Sequence, residues 1–260
     1  MIILYEHPLS PYAQKVKIAL AEKGIEFEPR LPDLFTGSDA AFAAANPRQE
    51  VPALVVDDQT AIFDSTIILE YIEERWPTPP LLPRDPAARA RARMIEEMCD
   101  TYYEAINWGV FEIRFFGRAK DAAADAILAR AAEQTSGANA WLERQLGSKQ
   151  WLNGDAFGWA DLSAAPLVHA AAFTGRPPVA GAALEGWLER IRARPSVAKT
   201  FQAGMEAFGG FEQIPQLVSS GLFKREYRDH RLEWMLRSGG VDVVLDGLQK
   251  SNIRFSRELD

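Results

Sequence analysis

Apolar residues in the first 76 positions alternate between short continuous runs, typical of strands, and helical spacing. The chain opens with the apolar run 1–5, and a helical repeat follows with Val16, Ala19 and Leu20 at positions i, i+3 and i+4. The remaining segments predict strands over 25–30, 53–56 and 61–63, and helices over an alanine-rich stretch before residue 46 and over 64–75. The pattern therefore predicts an α/β unit of order β-α-β-α-β-β-α.

Beyond residue 76 the pattern changes to long helices. Five prolines between 77 and 86 predict a linker, because proline cannot continue a helix. Residues 87–215 carry helical patterns with almost no strand signal, including a core helix over 159–172 that opens after a turn. We expect the extension over 216–260 to pack on the helical domain, because its apolar residues keep helical spacing. Those residues are Val241, Val244, Leu245 and Leu248.

Composition narrows the classes of function. The hydrophobic fraction of 47% and the charged fraction of 25% are typical of a soluble globular protein. A net charge of −7 and a pI near 5.2 argue against a nucleic-acid partner, which favours a basic face. No apolar run approaches the roughly 20 residues of a membrane helix, and the N-terminus has no secretion signal. We therefore expect a cytoplasmic protein without a membrane or nucleic-acid partner.

The cysteine and histidine content predicts neither disulfides nor a metal site. Cys99 is the single cysteine, which excludes an internal disulfide framework and a paired redox motif. Its position early in the helical half predicts a small core residue. The three histidines, His7, His169 and His230, are too widely scattered to predict a metal site. No metal is therefore expected.

Two short segments predict a site for a small extended peptide. Pro52 lies where a strand begins, which suits a residue without an N–H, and its peptide bond is a candidate for the cis form. Val51 before it then offers free backbone groups to an extended ligand. Asp64 and Ser65 open a helix, where side-chain oxygens and free N–H groups bind both charges of an amino-acid head group. The pattern therefore indicates a zwitterionic peptide ligand.

In this order the motifs resemble those of the glutathione transferase superfamily. The resemblance covers about residues 1–205 and depends on the whole set being in register. It implies a thioredoxin-like N-terminal domain, an all-α C-terminal domain, glutathione as co-substrate, an acceptor in the cleft between the domains, and a homodimer. The matching features are the start Leu4 to Ala13, the Val51-Pro52 turn, the Asp64-Ser65 helix start, the proline linker, the helical second half and the turn from Gly154 to Asp161.

The resemblance also implies the glutathione contacts. The Val51 backbone would hold the cysteinyl unit, and Asp64 and Ser65 would hold the γ-glutamyl end. The implied glutathione-binding residues are Gln49, Glu50, Val51, Pro52, Asp64 and Ser65.

Two residues depart from the family's pattern. Glu50 lies where a neutral or basic side chain usually helps hold the glycine carboxylate, so it opposes a like charge unless Arg48 compensates. Gly158 lies where the family prefers serine or threonine, and glycine is expected to be a tolerated helix cap there.

Ser10 falls where theta-like members carry a catalytic serine and omega-like members a cysteine. A free thiol is mostly protonated near pH 7, and a hydroxyl that donates to the thiolate beside a helix N-terminus lowers the thiol pKa. The alternative is that Ser10 only caps the helix that starts near Pro11, and the two roles are compatible. Because serine cannot form mixed disulfides, the expected chemistry is substitution, conjugate addition or peroxide reduction.

Tyr5 and Tyr12 are the alternative catalytic hydroxyls, since tyrosine serves this role in other branches of the family. Core packing is the competing interpretation for Tyr5, and stacking in the acceptor pocket is another for Tyr12. Arg114 and Arg118 are candidates to meet an acidic or phenolic acceptor, although a solvated face is the commoner explanation for such residues. The residues predicted to form the acceptor pocket are Tyr12, Trp108, Phe111 and Phe115.

These observations predict a glutathione transferase that acts on a small hydrophobic electrophile, and the aromatic residues of the predicted pocket favour an aromatic one. The predicted boundaries are 1–76 for the thioredoxin-like domain, 77–86 for the linker, 87–215 for the helical domain and 216–260 for the extension. The alternative function is a non-catalytic module that binds proteins through the extension. The extension is alternatively a lid over the cleft or a longer dimer contact.

Overall fold

The structure is a computed structural model that describes residues 1–33, 39–57, 60–209, 214–220, 230–250 and 252. Its first part is a four-stranded sheet with helices on both faces. The elements are β1 (Ile2–Tyr5), α1 (Pro11–Glu22), β2 (Glu28–Arg30), α2 (Ala40–Ala45), β3 (Ala53–Val56), β4 (Thr60–Phe63) and α3 (Ser65–Arg75).

The strand order is β2-β1-β3-β4, with β1 parallel to β2 and antiparallel to β3. Side chains alternate across β1 as the pleat requires. Leu4 belongs to the main core with Val16 of α1 and Ile68 of α3, whereas Tyr5 packs with Phe42 of α2. Helices α1 and α3 therefore cover one face of the sheet, and α2 covers the other.

The order of these elements agrees with the sequence pattern, and one predicted strand boundary differs by more than one residue. The strand predicted over 25–30 begins only at Glu28, because Ile25 and Phe27 pack their side chains against the main core outside any strand pairing. Residues 34–38 and 58–59 lie outside the described residues.

The second part of the structure is helical. Residues 99–103 form a π-helical turn that joins α4 to α5. The helices are α4 (Pro86–Met98), α5 (Glu104–Arg114), α6 (Asp121–Leu146), α7 (Trp159–Phe173), α8 (Ala183–Ala193), α9 (Pro195–Ala207), α10 (Ile214–Ser219), α11 (His230–Arg237) and α12 (Val241–Gln249).

Helix α7 is the centre of this helical part, and it begins on a buried carboxylate. Asp161 accepts hydrogen bonds from the Leu152 N–H at 2.8 Å, the Gly158 N–H at 3.1 Å and the Trp187 indole N–H at 2.8 Å. Buried polar groups need such partners, so this cluster fixes both the entry into α7 and its packing on α8.

One core runs through both parts of the structure. Leu4 and Ile72 from the sheet layer join the same apolar cluster as Leu142 and Trp159 from the helical part. An ion pair of 2.6 Å between Glu22 at the end of α1 and Arg194 at the start of α9 reinforces the contact. The thioredoxin-like and all-α domains of the predicted fold are therefore both present and packed on each other. The residue boundaries given for them stay predictions.

The described part of the extension includes helix α12. Val241, Leu245 and Leu248 on this helix are 46%, 51% and 47% exposed. The packing of the extension on the helical domain stays a prediction. Among the described residues, no helix is long and apolar enough to cross a membrane.

Candidate functional site

Three connecting segments lie side by side at one end of the strands β1, β3 and β4. Tyr5 ends β1 and pairs with Ala53 at the start of β3, and Ala53 also pairs with Phe63 at the end of β4. Loop 6–10 directly follows Tyr5, the Val51-Pro52 turn directly precedes Ala53, and Asp64 directly follows Phe63. The register therefore brings together the segments in which Ser10, Val51 and Asp64 were predicted to act.

Ser10 is the N-cap of α1. Its Oγ accepts a hydrogen bond of 3.3 Å from the Ala13 N–H, and its own N–H donates to the His7 carbonyl at 2.8 Å. An Oγ that accepts in the cap still has its proton available to donate to another group. The amino end of a helix also favours a negative charge. The predicted cap is therefore present, and it leaves the hydroxyl able to donate to an anion.

The loop before Ser10 is held by its own side chains. The Leu9 N–H donates to His7 Nδ1 at 3.2 Å, and the Gln14 side-chain amide donates to the Pro8 carbonyl at 2.7 Å. Burial lowers the pKa of His7, which keeps its ring neutral and Nδ1 able to accept near pH 7. Ser10 is thus presented by an ordered loop.

The Val51-Pro52 peptide bond is cis, and Pro52 is buried at the start of β3. Within the described ranges, no hydrogen bond takes the Val51 backbone N–H or C=O. These backbone groups are available to form hydrogen bonds with an extended ligand that lies beside the start of β3.

Glu50 and Gln49 precede this turn, and Arg48 lies beside Glu50. The Arg48 guanidinium lies 3.1 Å from the Glu50 carboxylate, and the Asn46 side chain donates to the Glu50 carbonyl at 2.7 Å. Gln49 is exposed and has a positive φ of 54°. Arg48 therefore offsets the charge of Glu50 beside the Val51 groups.

Asp64 caps α3 and holds an unusual backbone conformation. Its carboxylate accepts from the Thr66 N–H at 3.0 Å and the Ile67 N–H at 3.3 Å. Its φ of 73° is uncommon for a residue other than glycine, and such strain is concentrated at ligand-binding positions. Ser65, the first residue of α3, is buried next to it.

A buried charge cluster lies behind Asp64. The Lys15 ammonium on α1 is 2.6 Å from the Glu96 carboxylate on α4 and 2.5 Å from the Asp100 carboxylate in the π-helical turn. The Thr66 hydroxyl also donates to Glu96 at 2.9 Å. The pKa of Asp100 is raised to about 6, mainly by burial and also by the carboxylates of Glu96 and Asp64, against the opposing effect of Lys15. The helical part thus places a second carboxylate near Asp64.

Aromatic side chains line the carboxyl end of α5. Phe111 and Phe115 pack at a centroid distance of 4.9 Å, and Phe208 meets Phe115 at 4.9 Å and Phe173 at 5.4 Å. These four rings form an apolar wall, which we call the phenylalanine wall. The Trp108 ring contacts Phe116, at a centroid distance of 5.8 Å.

Comparison with known proteins decides the family. The sequence matches "Glutathione S-transferase, N-terminal domain" over residues 4–80 and "Glutathione S-transferase, C-terminal domain" over residues 125–190. The maleylacetoacetate isomerase of Pseudomonas aeruginosa is 32% identical over 211 residues, which are 78% of this chain and 94% of that protein. The chain belongs to the glutathione S-transferase family.

Two further relatives agree with this family. Glutathione S-transferase 3 of Zea mays is 33% identical over 212 residues, covering 77% of this chain and 93% of that protein. The solved structure of a glutathione S-transferase from Methylobacterium radiotolerans, in complex with glutathione sulfonate, is 31% identical. It covers 76% of this chain and 93% of that chain, with a TM-score of 0.65. The glutathione S-transferase fold predicted from the motifs is therefore confirmed.

The two tyrosines proposed as alternatives to Ser10 take different places in this glutathione S-transferase fold. Tyr5 is buried on the α2 face of the sheet, with its ring 5.2 Å from that of Phe42. The Tyr12 hydroxyl donates to the Asp100 carbonyl at 2.8 Å and joins α1 to the π-helical turn. Both hydroxyl-bearing rings are thus part of the packing between elements.

Sequence reasoning missed the charge cluster and half of the phenylalanine wall. A signal existed for Glu96, because it lies on the buried stripe of α4 that Ala92, Ile95 and Cys99 form at helical spacing. Phe208 carried no such signal, since it follows the last turn of α9 and reaches the wall only through the fold.

Proposed function

We propose that this family member is an enzyme in which Ser10 activates the thiol of glutathione for attack on a small, uncharged aromatic electrophile. The main support for the proposal is that Tyr5, Ala53 and Phe63 are paired side by side in the sheet. The three loops predicted to bind glutathione all begin or end next to these residues. A ligand at this edge meets the amino ends of α1 and α3 together.

Glutathione would bind as an extra strand along the start of β3. Its cysteinyl backbone pairs with the free groups of Val51, which directs the sulfur toward the loop of Ser10. Its γ-glutamyl carboxylate meets the amino end of α3 at Ser65, and its ammonium meets Asp64 with Asp100 behind it. The glycine carboxylate lies toward Arg48, whose charge offsets Glu50.

In the chemical step, the thiol releases its proton to water, and the Ser10 hydroxyl donates a hydrogen bond to the resulting thiolate. The amino end of α1 stabilises the same negative charge. The sulfur then forms a bond to the electrophilic carbon, and the leaving group departs with its electron pair. Peroxide reduction by the same thiolate is a further proposed activity.

The phenylalanine wall supports an aromatic acceptor, because Phe111, Phe115 and Phe208 offer ring faces and edges. The Arg114 guanidinium already donates to the Thr174 carbonyl at 2.6 Å, and Arg118 lies 3.8 Å from the Glu112 carboxylate. An uncharged acceptor therefore suits this wall better than the dicarboxylate named in the relative maleylacetoacetate isomerase.

Glutathione titration and a conjugation assay test this proposal together. Wild-type protein is expected to bind glutathione with micromolar affinity in calorimetry, and Ser65→Ala is expected to weaken binding at least tenfold. Ser10→Ala is expected to retain binding and to lower kcat toward an activated aryl chloride about 100-fold, the typical effect of removing one donor to a developing anion. An aliphatic enal and maleylacetoacetate serve as comparison acceptors. Full activity of Ser10→Ala would remove Ser10 from the mechanism.

We propose that the enzyme acts as a homodimer in the cytoplasm, a reducing compartment in which glutathione keeps thiols reduced. The candidate interface is an apolar patch on β4, α3 and α4. Ile67 and Met94 in it are 56% and 62% exposed, and Phe63 borders an open depression of about 490 Å³. An ion pair of 2.6 Å between Glu70 and Arg93 holds α3 against α4, so the patch is continuous.

Protein binding through the extension is the second candidate function. It is favoured by the exposed apolar residues of α12, among which Val243 is 61% exposed. Glutathione binding distinguishes the two candidate functions. If glutathione binds only at millimolar concentration or not at all, the enzyme proposal fails and protein binding through the extension is the favoured function.

A further inference from the structure

Helix α9 of the helical part makes a close contact with the loop that carries Ser10. The contact is at Gly204, which is buried on the side of α9 that faces α1. A Cβ atom at residue 204 would lie 3.2 Å from the Gln14 side-chain nitrogen and 3.3 Å from the Pro8 carbonyl oxygen. The absence of a side chain at residue 204 therefore lets α9 approach Gln14 and Pro8 at the same time.

Gln14 connects this contact to Ser10. Its side chain is 8% exposed and donates to the Pro8 carbonyl at 2.7 Å, while its backbone N–H donates to the Ser10 carbonyl at 2.9 Å. Gln14 thus holds the chain two residues before Ser10 through its side chain and Ser10 itself through its backbone. Loss of the side-chain bond would leave a partly buried carbonyl without this donor, so the loop would have to move to find another.

We propose that Gln14 is a positioning residue for Ser10, and that Gly204 is required because it leaves Gln14 the space to hold Pro8. The proposal rests on the proposed function, in which Ser10 donates to the glutathione thiolate. A hydrogen bond weakens steeply when its length and angle change, so a small shift of the loop reduces the stabilisation of the thiolate. Gln14 and Gly204 therefore control the pKa of the bound thiol without contacting glutathione.

Gln14→Met and Gly204→Ala test this role from opposite sides. At position 14, methionine has a length similar to that of glutamine but no N–H to donate. At position 204, alanine adds a Cβ atom close to the Gln14 side chain and the Pro8 carbonyl. The matched control is Gly186→Ala in α8, where the added carbon meets the far end of the Arg190 side chain at 3.4 Å. Ser10→Ala is measured alongside as the reference for a lost hydroxyl.

The pKa of the bound glutathione thiol is measured from the pH dependence of its ultraviolet thiolate absorbance. The Kd for glutathione, kcat and the melting temperature are measured as well. Gln14→Met and Gly204→Ala are expected to raise the thiol pKa by about one unit and to lower kcat near pH 7 about tenfold. Their Kd values are expected to stay within about twofold of the wild type, because Val51, Asp64 and Ser65 remain. Gly186→Ala is expected to keep the wild-type thiol pKa and kcat.

The outcomes separate this proposal from the function on which it rests. A wild-type thiol pKa and kcat in both Gln14→Met and Gly204→Ala, with Ser10→Ala impaired, overturns the positioning role and leaves Ser10 in place. If the variants change only the Kd for glutathione or only the melting temperature, the positioning role is overturned too, because a residue with a purely structural role would change only these quantities. An unimpaired Ser10→Ala overturns both proposals. If one variant does not fold, the other decides by the same readouts.

Discussion

Gly158 shows at the scale of a single residue how the fold decides which side chains are allowed. The sequence predicted that glycine is simply a tolerated helix cap at this position. In the structure, a Cβ at residue 158 would overlap the Leu81 carbonyl oxygen and the Asn153 side chain. The neighbouring Trp159 N–H donates to the same Leu81 carbonyl at 2.9 Å. Glycine is therefore required here, because the linker packs directly onto the start of α7.

Gly158→Ser introduces the residue type that the family prefers, and it is expected to destabilise this protein. Forcing extra atoms into a packed site costs typically about 1–3 kcal/mol, which exceeds the few tenths that a better cap contributes. Urea denaturation of both proteins measures the difference in the free energy of unfolding. Gly109→Ser is the control, since nothing lies within 4 Å of its added Cβ. A Gly158→Ser protein as stable as the wild type would contradict this account of the packing.

At the scale of the element, the π-helical turn places Asp100 in an unfavourable position for a charge. Burial raises the pKa of its carboxyl to about 6 from the ordinary 3.8, despite the nearby Lys15. The folded protein thus holds this proton more tightly than the unfolded chain does. The contribution of Asp100 to stability is fully present below about pH 3.8 and is lost as the pH rises through 6.

Asp100→Asn removes the titrating group and keeps the size of the side chain. At pH 5 the wild-type carboxyl is mostly protonated in the folded state, and at pH 7 it is ionised. We therefore expect the stability of the variant relative to the wild type to increase by about 1 kcal/mol between pH 5 and pH 7. Denaturation curves at the two pH values, without glutathione, measure this change. A difference that is constant or falls with pH would show that Asp100 is not held in this way.

The elements also show what a sequence pattern can and cannot predict. Apolar spacing predicted α1, α3, α7 and β3, because their own side chains cover the core, and it also predicted β4, of which only Ile62 packs against the core. It missed the π-helical turn and the placement of Lys15, because these depend on partners about 80 residues away in sequence, at Glu96 and Asp100. Helix α9 is a similar case, since the contact of Gly204 with Pro8 and that of Phe208, which follows α9, with the phenylalanine wall exist only after folding.

For the site, the motifs predicted the three loops in which Ser10, Val51 and Asp64 lie. The pairing row of the sheet brings those loops to one edge. No motif pointed to Phe173 and Phe208, which the fold brings to the phenylalanine wall, and the acceptor-pocket residues named from the sequence stay a prediction. Short motifs predict local backbone geometry well, whereas an aromatic wall assembled from three helices requires the tertiary fold.

At the scale of the whole molecule, the proposed dimer depends on the apolar patch of β4, α3 and α4. Ile67→Asp places a charge in this patch and is expected to weaken dimerisation at least tenfold, since an interfacial charge without a partner is strongly unfavourable. Sedimentation velocity over a range of protein concentrations measures the change. Ile127→Asp on α6 is the matched control, because Ile127 is also exposed, at 43%. A dimer that tolerates Ile67→Asp would place the interface elsewhere.

The Lys15 cluster limits how freely the two parts of this molecule can be recombined. Lys15 belongs to the thioredoxin-like part and is 1% exposed, yet both of its carboxylate partners come from the helical part. A chimera that joins residues 1–76 to another helical domain would bury this ammonium without Glu96 and Asp100. Breaking a buried pair in this way costs about 3–5 kcal/mol, a large share of the stability of an ordinary domain. Under the proposed function, a new acceptor specificity is therefore obtained more readily by changing the phenylalanine wall than by grafting a foreign helical domain.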